Sequence, residues 1–181
     1  MYRFVKIVAV FSLVVVSAFA VGIFQSSHVV SAQTDTKALA QAWVDANNAA
    51  LKSGDATALM ALYSSDYTDE SGGTGSAALD NVKQNITTLA KAFPDGKLEV
   101  KDIVAGADEA AVYTQVSGTN TGAIGPYPAT GKAFTGVKSI DILTFKDGKV
   151  TKDISVTDTT TLFAQIGWTL TPPTPAPTAA K

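Results

Sequence analysis

Acid–base chemistry is open to this chain chiefly through two aspartates, Asp141 and Asp158, both within the stretch SIDILTFKDGKVTKDISVTD that runs from Ser139 to Asp158. The stretch reads as two strands joined at Asp147-Gly148, because a two-residue hairpin loop needs positive φ at both positions and Asp-Gly adopts it at low cost. Counting outward from that turn pairs Phe145 with Val150, Leu143 with Lys152, Asp141 with Ile154 and Ser139 with Val156, all on one face by the strand period. Asp141 then lies among Leu143, Phe145, Ile154 and Val156. Loss of water there raises a carboxyl's pKa and makes it a usable general acid or base near neutral pH. Two structural readings stand beside this one: a β-bulge that turns Asp141 to solvent, and a diagonal pairing with Lys152 on the same face. Asp158 precedes Thr159-Thr160-Thr161-Leu162, so it reads both as a helix cap and as a site residue.

Other chemistries have fewer means. The chain has no cysteine and one histidine, His28, which lies in the N-terminal leader. Once the leader is removed, Ser-His-Asp and Cys-His catalysis are excluded and the commonest transition-metal ligand is missing. Proton transfer falls to carboxylates, tyrosines or lysines. Tyr63, Tyr67 and Tyr113 can each bring a hydroxyl to a pocket and Trp43 a ring, although core packing with a satisfied polar tip accounts for all four. Asn85, at the edge of a helical stripe, can reach a cavity or face water. Asp66, Asp69 and Glu70 lack the ligand spacing of a calcium loop, and neither a metal nor a cofactor is expected.

The elements that must position these residues follow from periodicity. Leu39, Trp43, Ala46 and Ala50 recur at helical spacing between Thr36 and Ser53, with Thr34 or Asp35 as cap and Gly54 as stop. Asp55 caps a second, short helix through Leu59, Leu62 and Tyr63 that ends near Ser64-Ser65, and Asp66 to Asp69 is a brief strand or link. After the loop from Glu70 to Ser76 a third helix runs from Ala77 to Phe93, its stripe made by Leu79, Val82, Ile86, Leu89 and Phe93, with Pro94 beyond. Strands are predicted at Leu98 to Ala105 and Ala110 to Ser117, then a long loop from Gly118 to Gly131, the hairpin, and a last helical turn ending at Gly167. Helices first and antiparallel strands afterwards make an α+β domain, in which a strongly bent sheet wraps against helices and encloses a pocket.

The N-terminus has a basic start at Arg3 and Lys6, an apolar run from Ile7 to Phe24 and a Val-Ser-Ala ending at Ala32, the pattern of a secretory signal cut after Ala32. An uncleaved membrane anchor is the alternative. Either way residues 33–168, the domain, are expected outside the cytoplasm, secreted or in the cell envelope, with a membrane contact only through an uncleaved leader. Without the leader fourteen basic residues fall to twelve against sixteen acidic ones, and no basic patch is left to bind nucleic acid. The end, Thr169 to Lys181, reads TLTPPTPAPTAAK and is expected to stay out of the core as a polyproline-type or disordered tail.

A set of segments carries a family resemblance: Ala92-Phe93-Pro94-Asp95, Val100 to Asp108, Ser117 to Gly122, Ala129 to Lys132, and Phe145 to Val150 running on through Asp158 to Gln165-Ile166-Gly167. In this order they resemble the SnoaL-like polyketide cyclases of the nuclear transport factor two-like superfamily, from about Ala38 to Gly167. The resemblance implies a cone-like α+β fold, three N-terminal helices packed on a strongly bent, mostly antiparallel sheet. Ring-closing members commonly carry histidine where this chain has Asn120 and Glu70, and their last strand reads glutamate, a variable residue, tryptophan, aspartate where this chain has Lys152, Asp153, Ile154 and Ser155. The expectation is therefore an exported domain that binds a small hydrophobic or polycyclic molecule without cyclase chemistry, its pocket formed by Trp43, Tyr63, Tyr67, Asn85, Tyr113, Asn120 and Ile154. A cyclase, isomerase or hydrolase using Asp141 or Asp158, without a cofactor, is the alternative. A homodimer through the open sheet face is compatible with both.

Overall fold

The computed structural model describes residues 27–70 and 73–169. The signal expected at residues 1–32 lies outside the described residues up to position 26, and the Pro-rich tail lies outside them from position 170. Helix α1 runs from Ser27 to Ser53, so Thr34 and Asp35 lie within it rather than capping it. Its inward positions Ala40, Trp43, Val44, Asn47, Ala50 and Leu51 keep helical spacing and are all buried. Asn48, one turn over, holds the edge of the sheet: it donates to the Leu98 carbonyl at 3.0 Å and accepts from the Leu98 N–H at 2.8 Å. Among the described residues no helix is long and apolar enough to cross a membrane.

The second helix is shorter than its periodicity suggests. Helix α2 spans only Thr57–Met60, after Asp55, whose carboxylate accepts from the Thr57 N–H at 2.9 Å. Leu62 and Tyr63 do not continue it. Instead the Leu62 carbonyl accepts from the Val150 N–H at 2.9 Å, and β1, Tyr63–Thr68, forms one edge of the sheet, parallel to its neighbour. Tertiary pairing has overridden a helical pattern too short to hold itself. Helix α3 follows at Gly75–Ala92, then β2 at Lys97–Ala105, β3 at Glu109–Thr119, β4 at Ala133–Lys146, β5 at Lys149–Thr157 and α4 at Thr159–Ile166. The order across the five-stranded sheet is β1-β5-β4-β3-β2, antiparallel except where β1 meets β5, and the sheet does not close into a barrel.

The β4–β5 hairpin turns where expected, at Asp147 with φ 51° and Gly148 with φ 74°. Its register differs. Phe145 pairs with Val150, but Thr144 pairs with Lys152, Leu143 with Asp153, Ile142 with Ile154, Asp141 with Ser155 and Ser139 with Thr157. Thr151 is the extra residue of a bulge, its hydroxyl 3.2 Å from the Thr144 carbonyl. The bulge sits on β5, so β4 keeps its phase and Asp141 stays inside, while everything on β5 beyond Thr151 changes face. Asp153, Ser155 and Thr157 turn inward; Lys152, Ile154 and Val156 turn out.

The core has two parts. One joins α1, α2, β1 and α3 to the sheet through residues such as Trp43, Leu59, Tyr67, Ile86, Leu143 and Val150. The other gathers Phe93, Phe134, Val137 and Ile166, with Leu89, Val116 and Leu162 packed against them. Between them the bent sheet and α3 leave a cavity.

Candidate functional site

The cavity measures about 600 Å3 and is lined by 24 residues. One wall is apolar, built from Leu51, Leu89, Phe93, Leu98, Val116, Phe134, Val137 and Leu162; the other is the inner face of β4 and β5, which presents Ser139, Asp141, Asp153, Ser155 and Thr157. Asp141 stands directly across from Ser155, and Asp153 directly across from Leu143, so the two carboxyls are diagonal neighbours on one face. Asp141 is 6% exposed. It receives the Ser139 hydroxyl at 3.5 Å and a second hydroxyl from Ser155, and Ser139 is in turn 2.9 Å from the Thr157 hydroxyl.

Asp153 has stronger donors. Strand β1 places Tyr63 and Tyr67 four residues apart, hence on the same face, and their rings meet edge to face at 4.8 Å between centroids. The Tyr63 hydroxyl donates to one oxygen of Asp153 at 3.3 Å and the Tyr67 hydroxyl donates to the other. From α1, the Trp43 indole N–H donates to the Tyr63 oxygen at 2.9 Å. Three elements therefore converge on one carboxylate.

Burial raises the pKa of Asp141; the Ser155 and Ser139 hydroxyls oppose this in part, and the charge on Asp153 adds to it. Asp153 is also raised by burial, against the two tyrosine donors, with Asp69 and Glu70 pushing it further. The tyrosines are raised as well, Tyr63 by burial and then by the Asp153 charge, Tyr67 by burial and then by its bond to Asp153, so both remain O–H donors. Two like charges this close disfavour each other, while two phenolic donors favour the anion at Asp153 over the anion at Asp141. The arrangement suits one ionised and one protonated carboxyl, a base beside an acid.

Of the residues expected in a pocket, Trp43, Tyr63, Tyr67 and Asn85 line this cavity together with Asp141. Four candidates lie elsewhere. Ile154 faces the opposite side of the sheet because of the bulge, paired with Ile142. Tyr113 borders a groove on that same outer side, with Ile140 and Val156. Asn120 is fully buried in the β3–β4 loop, donating to the Gly122 carbonyl at 2.8 Å and accepting from the Thr130 N–H at 2.8 Å, so its amide is spent on holding the loop. Asp158 caps α4, accepting from the Thr161 N–H at 2.9 Å and its hydroxyl at 2.6 Å, bonds that lower its pKa. Residues that the sequence reading did not select are Asp153, Ser155, Ser139 and Thr157, along with Asn47 and Asn81 on the helices. Their signal was the alternation of Asp153, Ser155 and Thr157 against Ile154 and Val156, polar inside and apolar outside. Among the described residues no group of three or more acidic or imidazole side chains is placed to hold a metal ion.

A family model described as SnoaL-like polyketide cyclase matches residues 41–166. Among solved structures the chain is similar to TsrD from Streptomyces laurentii, with 26% identity and a TM-score of 0.64 over 72% of this chain and 96% of that one. It is similar also to AclR, a candidate hydroxylase from Streptomyces galilaeus, with 28% identity and a TM-score of 0.61 over 75% and 97% of the two chains. A candidate SnoaL-like polyketide cyclase from Jannaschia sp. CCS1 shares the fold, at 17% identity and a TM-score of 0.64, over 74% of this chain and 92% of that one. No relative was found among curated proteins.

Proposed function

The chain belongs to the SnoaL-like polyketide cyclase family, and we propose that it binds a small, largely apolar molecule in its cavity and moves protons to and from it through Asp141 and Asp153. The observation that carries this reading is the pair of carboxyls, both raised by burial, at the polar wall of an otherwise apolar cavity. A cavity of about 600 Å3 suits a molecule of several fused rings. In a substrate with an acidic C–H beside a carbonyl, ionised Asp153 takes the carbon's proton and protonated Asp141 gives its proton to the carbonyl oxygen, leaving an enol. Return of the proton to a different carbon isomerises the substrate; attack of the enol on a second carbonyl closes a ring.

Proton transfer is preferred to binding alone for a further reason. On the resemblance, Ser155 stands where the family's last strand has aspartate, and it is directly across from Asp141, so the neighbouring strand brings a carboxyl beside that position. The basic start and apolar run of residues 1–32, the pattern of a secretory signal, support placing this activity outside the cytoplasm.

The test is a panel of aromatic ketones and lactones incubated with the protein in D2O, followed by NMR for deuterium at the carbon beside the carbonyl and by thermal shift for binding. Exchange above the buffer rate in a compound that also stabilises the protein is the expected result. Compounds that stabilise but never exchange would reduce the site to a carrier.

A homodimer through the outer sheet face is a second reading that coexists with the first. It is supported by the outward apolar residues Val104, Ile140, Ile142 and Val156, which are 65%, 47%, 39% and 67% exposed.

A further inference from the structure

Building on the proton-transfer reading, we propose that Trp43 is a positioning residue: its indole N–H occupies the acceptor side of the Tyr63 hydroxyl and so commits that hydroxyl's single proton to Asp153. A phenol oxygen has one proton to give and accepts in other directions. The indole N–H can only donate, and it reaches the Tyr63 oxygen at 2.9 Å in a buried contact. The remaining partner of that oxygen is Asp153, at 3.3 Å, and a carboxylate accepts. The direction of the chain from Trp43 through Tyr63 to Asp153 is thus fixed at its far end by a group that cannot reverse.

This matters because the two acids share one face of the sheet, Asp141 buried and Asp153 partly buried. Asp153 receives a proton donor on each oxygen, from Tyr63 and from Tyr67, whereas Asp141 receives serine hydroxyls, one of them at 3.5 Å. Fixing the Tyr63 hydroxyl widens that difference, and donation by Trp43 makes the Tyr63 proton a better one to give, since it favours negative charge on that oxygen. The groups that face Asp153 are Tyr63 and Tyr67 from β1, Asp69 and Glu70 just beyond it, and Asp141 from β4; no lysine or arginine lines the cavity among the described residues. With Asp69 and Glu70 raising Asp153, Asp153 raising Asp141 and no cation lining the cavity, the donors on Asp153, Tyr67 and the Tyr63 hydroxyl held by Trp43, are what favour its ionisation over that of Asp141.

The experiment follows the carboxyl carbon of Asp153 by 13C NMR against pH in the intact protein, assigned with Asp153→Asn, alongside the pH profile of deuterium exchange. Trp43→Phe removes the donor, and a benzothienylalanine placed at position 43 removes it while keeping the indole's shape, should the smaller ring disturb folding. Each is compared in the presence and absence of Tyr63→Phe. The expected result is that Asp153 titrates at higher pH without the indole N–H, and that exchange on the acid side of the profile falls about three- to tenfold, a fraction of one hydrogen bond to a charge. With Tyr63→Phe already in place, changing residue 43 moves neither reading further. An Asp153 titration that stays where it was, or a change of equal size with and without the Tyr63 hydroxyl, overturns the proposal. If the wild type exchanges no substrate, the proton-transfer reading fails by itself, and the titration cycle still decides the role of Trp43.

Discussion

Asp141 and Asp153 hold their protons more tightly in the folded chain than in the unfolded one, since burial raises both, and this ties the site to stability. An acid raised on folding contributes stability that is complete below its unfolded pKa and is lost as pH rises through its folded value. Asp141→Asn, neutral at every pH, is therefore expected to gain on the wild type in urea denaturation as pH goes from 4 to 8; a gap that narrows over that range would contradict the buried placement. Thr114 makes a separate case. Its hydroxyl is fully buried in β3 with no hydrogen-bond partner, so Thr114→Val, which keeps the shape, should raise stability by about 1 kcal/mol. Asp141 was legible from the sequence because β4 keeps an unbroken two-residue period from the turn. Asp153 was not, because the one residue that changes its face, Thr151, looks like any strand threonine.

The fold's elements were readable where apolar periodicity dominates, as in α1 and α3, and misread where the site inverts it. On β5 the inward residues are Asp153, Ser155 and Thr157 and the outward ones Ile154 and Val156, so the rule that apolar residues point inward selects the wrong side. A strand that lines a polar cavity wall beneath an apolar outer face will be misphased by hydrophobicity alone. The second helix is shorter than expected for a related reason: Leu62 and Tyr63 fit a helical stripe, but Leu62 ends in a turn and the parallel pairing with β5 makes Tyr63 the start of β1. Turns carry their own tests. At Gly148, φ is 74° with nothing near an added Cβ, so Gly148→Ala should cost about 1 kcal/mol, from backbone conformation alone. At Gly122 an added Cβ would meet the Lys91 carbonyl oxygen, at the end of α3, so Gly122→Ala should cost more, about 3 kcal/mol in chemical denaturation. Equal costs at the two sites would contradict that contact.

The whole molecule is organised around a space rather than around a continuous core. The two apolar clusters meet along the cavity, Leu89, Phe93 and Phe134 on one side and Trp43, Tyr63 and Ile86 on the other, so a ligand that fills it touches both. On the inner face of the sheet the bulge adds Asp153, Ser155 and Thr157 of β5 to Ser139 and Asp141 of β4, and on the opposite face it adds Ile154 and Val156 to the outward Ile140 and Ile142. If two copies associate there, sedimentation should give a dimer for the wild type and a monomer for Val156→Glu with the cavity's activity kept; a monomeric wild type would remove that reading. The central claim, that the two inward carboxyls transfer protons to a bound molecule, is tested most directly by the rate of deuterium incorporation into one exchanging ketone. That rate is compared among the wild type, Asp141→Asn and Asp153→Asn, all shown to bind the ketone. Either substitution should lower the rate at least a hundredfold, the usual contribution of a positioned acid or base, with binding retained. Exchange at the wild-type rate in both variants would contradict the account.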